Sequence, residues 1–149
     1  AVAINTIGSR LAFADKNGSL RILDTRSHTV IRTLTAHSVR ITDVKFSPDD
    51  RQIATTSLDK TLKIWDAANF NNRPVSIDKH TKWVLAVAFS PDGKYLVSSD
   101  EDGNIYYWPT HASYMAEQMC GKVTRNMTQR EWETYVSYDI NYQKTCPNK

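Results

Sequence analysis

Two histidines stand at matching places in the chain, each with an aspartate 22 residues further on: His37 with Asp59, and His80 with Asp102. Paired His and Asp side chains invite a catalytic or a metal-ligand reading. Neither histidine has a Cys, His or Glu beside it at metal-ligand spacing. No Gly-rich phosphate loop, Gly-x-Ser-x-Gly elbow or His-Glu-x-x-His motif occurs, and the plentiful serine hydroxyls fall in turn and strand sequences. Asp100, Glu101 and Asp102 form an acidic run. Three consecutive carboxylates without further ligands make a poor Ca²⁺ site, so the run reads as a solvated turn. The sequence therefore predicts no catalytic residue, no bound metal and no cofactor.

The histidines belong to a larger echo. Shifting the frame by 43 residues carries His37 onto His80, Phe46 onto Phe89, Ser47-Pro48-Asp49 onto Ser90-Pro91-Asp92, Asp59 onto Asp102 and Trp65 onto Trp108. Catalytic residues do not normally recur at a fixed repeat spacing, whereas packing residues do. The His, Asp and Trp are thus expected to satisfy one another inside a repeated unit, where an unpartnered buried polar group would cost about 1–3 kcal/mol.

The elements that position them follow from period-two patterns. Ile41 to Phe46, Gln52 to Ser57 and Thr61 to Trp65 read as half-buried strands, with fourth strands at Thr29 to Leu34 and Val75 to Ile77. Ser-Pro-Asp-Asp and Ser-Pro-Asp-Gly are turn sequences, and Asn17-Gly18 and Asp102-Gly103 are tight hairpin turns. A weaker copy fills Ala1 to Asp24 at an offset of 42, with Leu23 in place of the Trp and Asn17 in place of the turn Asp. Four antiparallel strands per repeat is the pattern of a β-propeller blade. The predicted fold is mainly β: three four-stranded antiparallel blades over residues 1–36, 37–79 and 80–109, a partial propeller, with two short helices in residues 110–149 packed on the last blade.

Those residues carry a family resemblance. His37…Ser57-Leu58-Asp59…Trp65-Asp66 resembles a WD40 repeat, and residues 80–108 resemble another. In that family a His, a Ser or Thr, the turn Asp and the Trp share hydrogen bonds within each blade. The resemblance assigns these roles to His37, Ser57, Asp59 and Trp65, and to His80, Asp102 and Trp108, with Asp100 standing where the hydroxyl should be. The tail, from Cys120-Gly121 through Arg125-Asn126-Met127-Thr128 and Glu131-Trp132 to Cys146-Pro147, is similar to the end of large bacterial WD40-repeat proteins, which implies a multidomain signalling host.

Positions where the copies disagree are free of the blade's own needs. Arg40 in one copy stands where Trp83 stands in the next, and Leu58 where Glu101 stands. Arg and Trp are over-represented at binding hot spots, so these four residues are the candidate partner contacts; the alternative for Trp83 is packing between blades. In the tail, Ala112 to Gly121 and the stretch from Thr128 read as helices, the second opened by a Thr128–Glu131 capping box, with Trp132, Tyr135 and Val136 on one face. Cys120 and Cys146 either close a disulfide worth about 3 kcal/mol in loop entropy or remain buried thiols; the disulfide is favoured.

Composition bounds the rest. A net charge of +3 and the absence of any Lys or Arg run argue against a nucleic-acid partner, and the longest apolar run, Trp83 to Phe89, is far below the ~18 residues of a membrane span. Ala1 to Ile7 carry neither the basic flank nor the apolar core of a secretory signal, and a cytoplasmic setting is expected. The missing initiator Met predicts a fragment. Three blades fall short of the roughly 4–8 of a ring, so the remaining blades of a longer chain, or a second copy completing the ring, are expected beside protein partners. The leading function is a non-catalytic protein–protein interaction platform; the alternatives are part of an enzyme or ligand sensor whose site lies in the missing blades or central channel, and an architectural C-terminal cap.

Overall fold

A computed structural model describes residues 1–111, 120, 122, 124–126, 128–131 and 146. It divides into two compact units, Ala1–Trp108 and Pro109–Lys149.

The first unit is built from three antiparallel sheets. β1 (Val2–Ile4), β2 (Arg10–Ala14), β3 (Ser19–Asp24) and β4 (Thr29–Thr35) pair in chain order. β5 (Ile41–Phe46), β6 (Gln52–Ser57), β7 (Leu62–Asp66) and β8 (Val75–Ile77) repeat that order. β9 (Val84–Phe89), β10 (Tyr95–Asp100) and β11 (Ile105–Pro109) form a third sheet. Three strands, not the expected four, make up this last sheet among the described residues.

Period-two alternation divides the core. On β6, Ile53 pairs with Trp65 and faces the first sheet, where Ala12, Leu20 and Ile22, together with Ile41 and Val44 of β5, complete one cluster. Its neighbour Ala54 pairs with Ile64 and faces the third sheet, joining Leu62, Val87 and Leu96. β6 is therefore buried on both faces, which is why its run is apolar and hydroxyl-bearing with no charge. Each fully buried Ile or Leu contributes roughly 1.5–3 kcal/mol. β5 is the hinge of the arrangement, lying against both β1 and β9. A bulge at Thr42 lets its hydroxyl donate to Val84 O at 2.6 Å, and Asp43 accepts from Val87 N at 3.2 Å.

The turns fall at the repeat interval. Gly18, Lys60 and Gly103 occupy equivalent hairpin positions with φ of 82°, 70° and 81°. Asp50 (φ 60°) stands where Gly93 (φ 69°) does in the next copy. A left-handed aspartate is unfavourable by itself, but its carboxylate accepts from Asn5 Nδ2 (3.0 Å), Thr6 N (2.8 Å) and Ile7 N (3.4 Å), tying the first sheet to the second.

In the second unit Cys120 and Cys146 form a disulfide. Asn126 holds the backbone of Cys146 from both sides, donating to its carbonyl at 2.7 Å and accepting from its N–H at 2.9 Å. Thr128 N donates to Glu131 Oε2 at 2.8 Å and Glu131 N to Thr128 Oγ1 at 3.3 Å, a reciprocal capping box at the start of helical residues 129–131. A bidentate Arg125 guanidinium, helped by Thr128, brings the Glu131 carboxyl down to about 2. The remainder of both expected helices, including Tyr114, Met115, Met119, Gly121, Met127, Trp132, Tyr135 and Val136, lies outside the described residues.

Candidate functional site

Each of the last two sheets carries a buried polar node. In the second sheet, burial pushes the His37 imidazole below its ordinary value although Asp59 opposes the shift, so the ring is neutral near pH 7. Its partners then fix the protons. His37 Nδ1–H donates to Asp59 Oδ2 at 2.9 Å, the Thr55 hydroxyl donates to His37 Nε2 at 2.8 Å, and Trp65 Nε1–H donates to Thr55 Oγ1 at 3.0 Å. Burial alone would raise the Asp59 carboxyl, but Thr61 and His37 hold it below the usual carboxylate value. Every polar atom of the chain Trp65–Thr55–His37–Asp59 has a partner.

The hub is Thr55, not Ser57 as expected. Thr55 and Ser57 share a face two residues apart, but Ser57 donates to Arg40 O at 2.9 Å and accepts from Asp59 N at 3.1 Å, and so braces the turn instead.

The third sheet corrects the expectation at Asp102. His80 Nδ1 lies 3.3 Å from Asp100 Oδ2, His80 Nε2 2.8 Å from Ser98 Oγ, and Trp108 Nε1–H donates to Ser98 Oγ at 2.8 Å. The acid has moved two residues back along the strand. Asn104, in the place of Thr61, reaches both oxygens of Asp100 at 3.2 Å. Asp100 is buried, and burial would raise its carboxyl, yet Asn104 and His80 bring it below the ordinary value. Asp102 points outward, 3.8 Å from Lys82 Nζ with half of its side chain exposed. Tyr106 meets the His80 ring edge-on at 4.4 Å and stacks on Trp108. The 43-residue offset that carries Thr55 onto Ser98, ten residues before each Trp, was the signal for both hubs.

These nodes can orient and hydrogen-bond, but both imidazoles are closed off inside the sheets and present no nitrogen to a substrate. Among the described residues no group of three or more His, Cys, Asp or Glu could hold a metal ion, and no helix is long and apolar enough to cross a membrane.

The two shifts in the second sheet give stability the same pH dependence. A histidine depressed in the fold contributes stability fully present above about 6.5 and lost as pH falls through that value toward the folded one. The depressed Asp59 carboxyl adds a second loss below about 3.8. The urea midpoint is expected to fall between pH 7.5 and pH 5, and His37→Gln to flatten that fall. A midpoint unchanged over this interval would contradict a neutral His37.

Above the nodes, at the end where β5 begins and β6 ends, the four divergent positions come together in pairs. Leu58 N donates to Arg40 O at 3.1 Å, and Glu101 N to Trp83 O at 3.0 Å. Arg40 and Glu101 are exposed and Leu58 is half-buried. Trp83 is 46% exposed, belongs to neither core cluster, and has the exposed Arg40 at the matching place in the preceding copy.

Comparison with known proteins agrees with this architecture. The family model described as WD domain, G-beta repeat matches residues 28–66 and 72–109. DDB1- and CUL4-associated factor 10 from Xenopus laevis is 32% identical over 105 residues, covering 70% of this chain and 23% of that protein. Transcriptional corepressor LEUNIG_HOMOLOG from Arabidopsis thaliana is 36% identical over 107 residues, 71% of this chain and 14% of that protein. WD repeat and SOCS box-containing protein 1 from Homo sapiens is 32% identical over 99 residues, 66% and 24% respectively. Among solved structures, a chain of the mitotic checkpoint complex superposes with a TM-score of 0.66 at 24% identity, covering 73% of this chain and 35% of that one. The chain thus spans a quarter or less of the curated relatives it matches. These relatives are animal and plant proteins and lend no support to the bacterial host expected from the tail. Repeats, sheet topology and relatives agree: the chain belongs to the WD40-repeat family of β-propeller proteins.

Proposed function

We propose that the chain supplies three blades of a WD40 propeller that serves as a non-catalytic protein-interaction platform, with Arg40, Leu58, Trp83 and Glu101 as its contact residues. The observation that carries this reading is Trp83: a large aromatic 46% exposed at the loop end and outside both core clusters, with the exposed Arg40 at the matching place of the preceding repeat. The names of relatives support protein partners, one of them being a DDB1- and CUL4-associated factor. The Cys120–Cys146 bond favours an oxidising setting over the cytoplasm suggested by composition.

The missing blades are a second, obligatory partner of this platform. Val2 and Ile4 lie on the face of β1 turned away from the second sheet, and Ile105 and Tyr107 on the corresponding face of β11; all four are exposed. Bare apolar sheet faces of this kind need covering. Further blades of the same protein are the occupant that best matches the fraction of the relatives this chain spans, and a second copy is the alternative.

Trp83→Ala and Arg40→Ala are expected to leave the melting temperature within about 2 °C of wild type. Peptides selected by wild-type protein from a displayed library are expected to lose roughly tenfold or more in affinity for the double variant. Full retention of every selected binder by the double variant would overturn the assignment.

A further inference from the structure

The opposite end of the sheets carries a groove that the platform reading does not use. Two adjoining hollows of about 300 and 280 Å³ meet there between the first and second sheets. Both are lined by Arg10, Ala67 and Ala68; Arg32 lies at one end and Arg51 at the other. Ile31 and Phe70 flank the first hollow and Ile7 the second. Ile7 is 78% and Ile31 47% exposed, so these two walls face outward, whereas Phe70 is half-buried against the first core cluster.

The charges at this end are divided unequally between work inside the fold and availability outside it. Both oxygens of Asp50 accept from Asn5, Thr6 and Ile7. Both oxygens of Asp66 accept from Ala68 N (2.9 Å), Asn69 N (3.1 Å) and Asn72 Nδ2 (2.7 Å). Asp49 accepts from Ser47 Oγ and Arg51 N. The acids' oxygens are occupied in holding the loops, although Asp50 itself lines the second hollow. The arginines are not: Arg10 uses one guanidinium N–H on Ala67 O at 2.7 Å, Arg32 uses one on Asn71 Oδ1, and the guanidinium of the exposed Arg51 makes no hydrogen bond among the described residues. A guanidinium has five donors in a fork that matches a carboxylate.

From this we infer that the groove is a second recognition site, for an extended acidic peptide segment of a protein partner. A carboxylate of the peptide sits on Arg10 between the two hollows, further acidic residues reach Arg32 and Arg51, and alternate apolar side chains lie against Ile7 and against Ile31 with Phe70. The small floor of Ala67 and Ala68 lets the peptide backbone approach.

The test is fluorescence anisotropy with a labelled short peptide of alternating Leu and Glu, its Leu–Gln twin, and a Leu–phosphoserine version, using the purified chain. The Leu–Glu peptide is expected to bind wild type at least roughly tenfold more tightly than its Leu–Gln twin, and to weaken with added salt. Arg32→Gln with Arg51→Gln removes two exposed charges, of which only Arg32 makes a side-chain hydrogen bond among the described residues, to the exposed Asn71; this double variant is expected to lose that preference at a melting temperature within about 2 °C of wild type. Trp83→Ala, at the other end of the sheets, is expected to leave it intact, so failure here is distinguishable from failure of the platform reading. Equal affinity for the Leu–Glu and Leu–Gln peptides, binding of the phosphoserine peptide alone, or full affinity in the double variant would each overturn the assignment.

Discussion

Gly18→Ala is expected to destabilise the first unit by about 3 kcal/mol or more, a loss of roughly 10 °C or more in melting temperature. Two independent costs meet at this residue. Its φ is 82°, a conformation that an L side chain rarely adopts. A Cβ there would also stand 2.1 Å from His37 O, 2.7 Å from His37 C and 2.9 Å from Val39 O, all backbone atoms that no rotamer change can move. The closeness has a purpose, since Gly18 O accepts from Ala36 N at 2.9 Å and His37 N at 3.0 Å. The hairpin tip of the first sheet is thereby clamped onto the start of the second, just where His37 enters its node. Gly103 is the internal control. It has the same φ, 81°, with nothing within 4 Å of an added Cβ, and Gly103→Ala is expected to cost only about 1 kcal/mol. Lys60 already occupies the equivalent place at φ 70°, so conformation alone is tolerable there. Equal melting losses for the two alanine variants, read by thermal circular dichroism, would show that the clamp contributes nothing.

Thr55→Val is the second large effect, expected at roughly 2–4 kcal/mol. Valine nearly copies the shape of threonine, so the loss isolates the hydroxyl. Without it His37 Nε2 and Trp65 Nε1 lose the one atom they share, in a place closed to water. Thr55→Ser keeps the hydroxyl and is expected to recover most of the stability. Asp102→Asn should be nearly neutral, because among the described residues that carboxylate reaches only Lys82, whereas Asp100→Asn weakens the contact to His80. Chemical denaturation at constant m-value checks all four.

These two predictions also show where the sequence was legible. Strands Ile41–Phe46, Gln52–Ser57 and Val75–Ile77 fall where alternation and turn residues put them, because a half-buried strand must alternate and a tight turn must use Gly, Asn, Asp or Pro. The Thr128–Glu131 capping box was readable for the same reason: its spacing is its mechanism.

Node membership was harder to read. Thr55 and Ser57 lie on one face of one strand, and only the position of Trp65 across the sheet decides which hydroxyl it meets. Asp100 and Asp102 present the same ambiguity for His80. Asn104 in place of Thr61 accompanies the move, but neither residue announces it. The lower groove had no sequence signal, since Arg10 and Arg32 stand on different strands of the first repeat and Arg51 in the second, and only the packing of two sheets makes them neighbours. Nor does the 43-residue pattern tell which exposed residues bind, beyond marking Arg40 and Trp83 as places where the copies differ.

The separation between residues that build the sheets and residues that bind is tested most directly by measuring Thr55→Val and Trp83→Ala side by side, each for melting temperature and for affinity to the same library-selected peptides. Thr55→Val is expected to melt well below wild type and, at a temperature where it is folded, to bind as wild type does. Trp83→Ala is expected to melt with wild type and to lose roughly tenfold or more in affinity. The reverse pattern, with Trp83→Ala unstable and Thr55→Val stable but unable to bind, would contradict it.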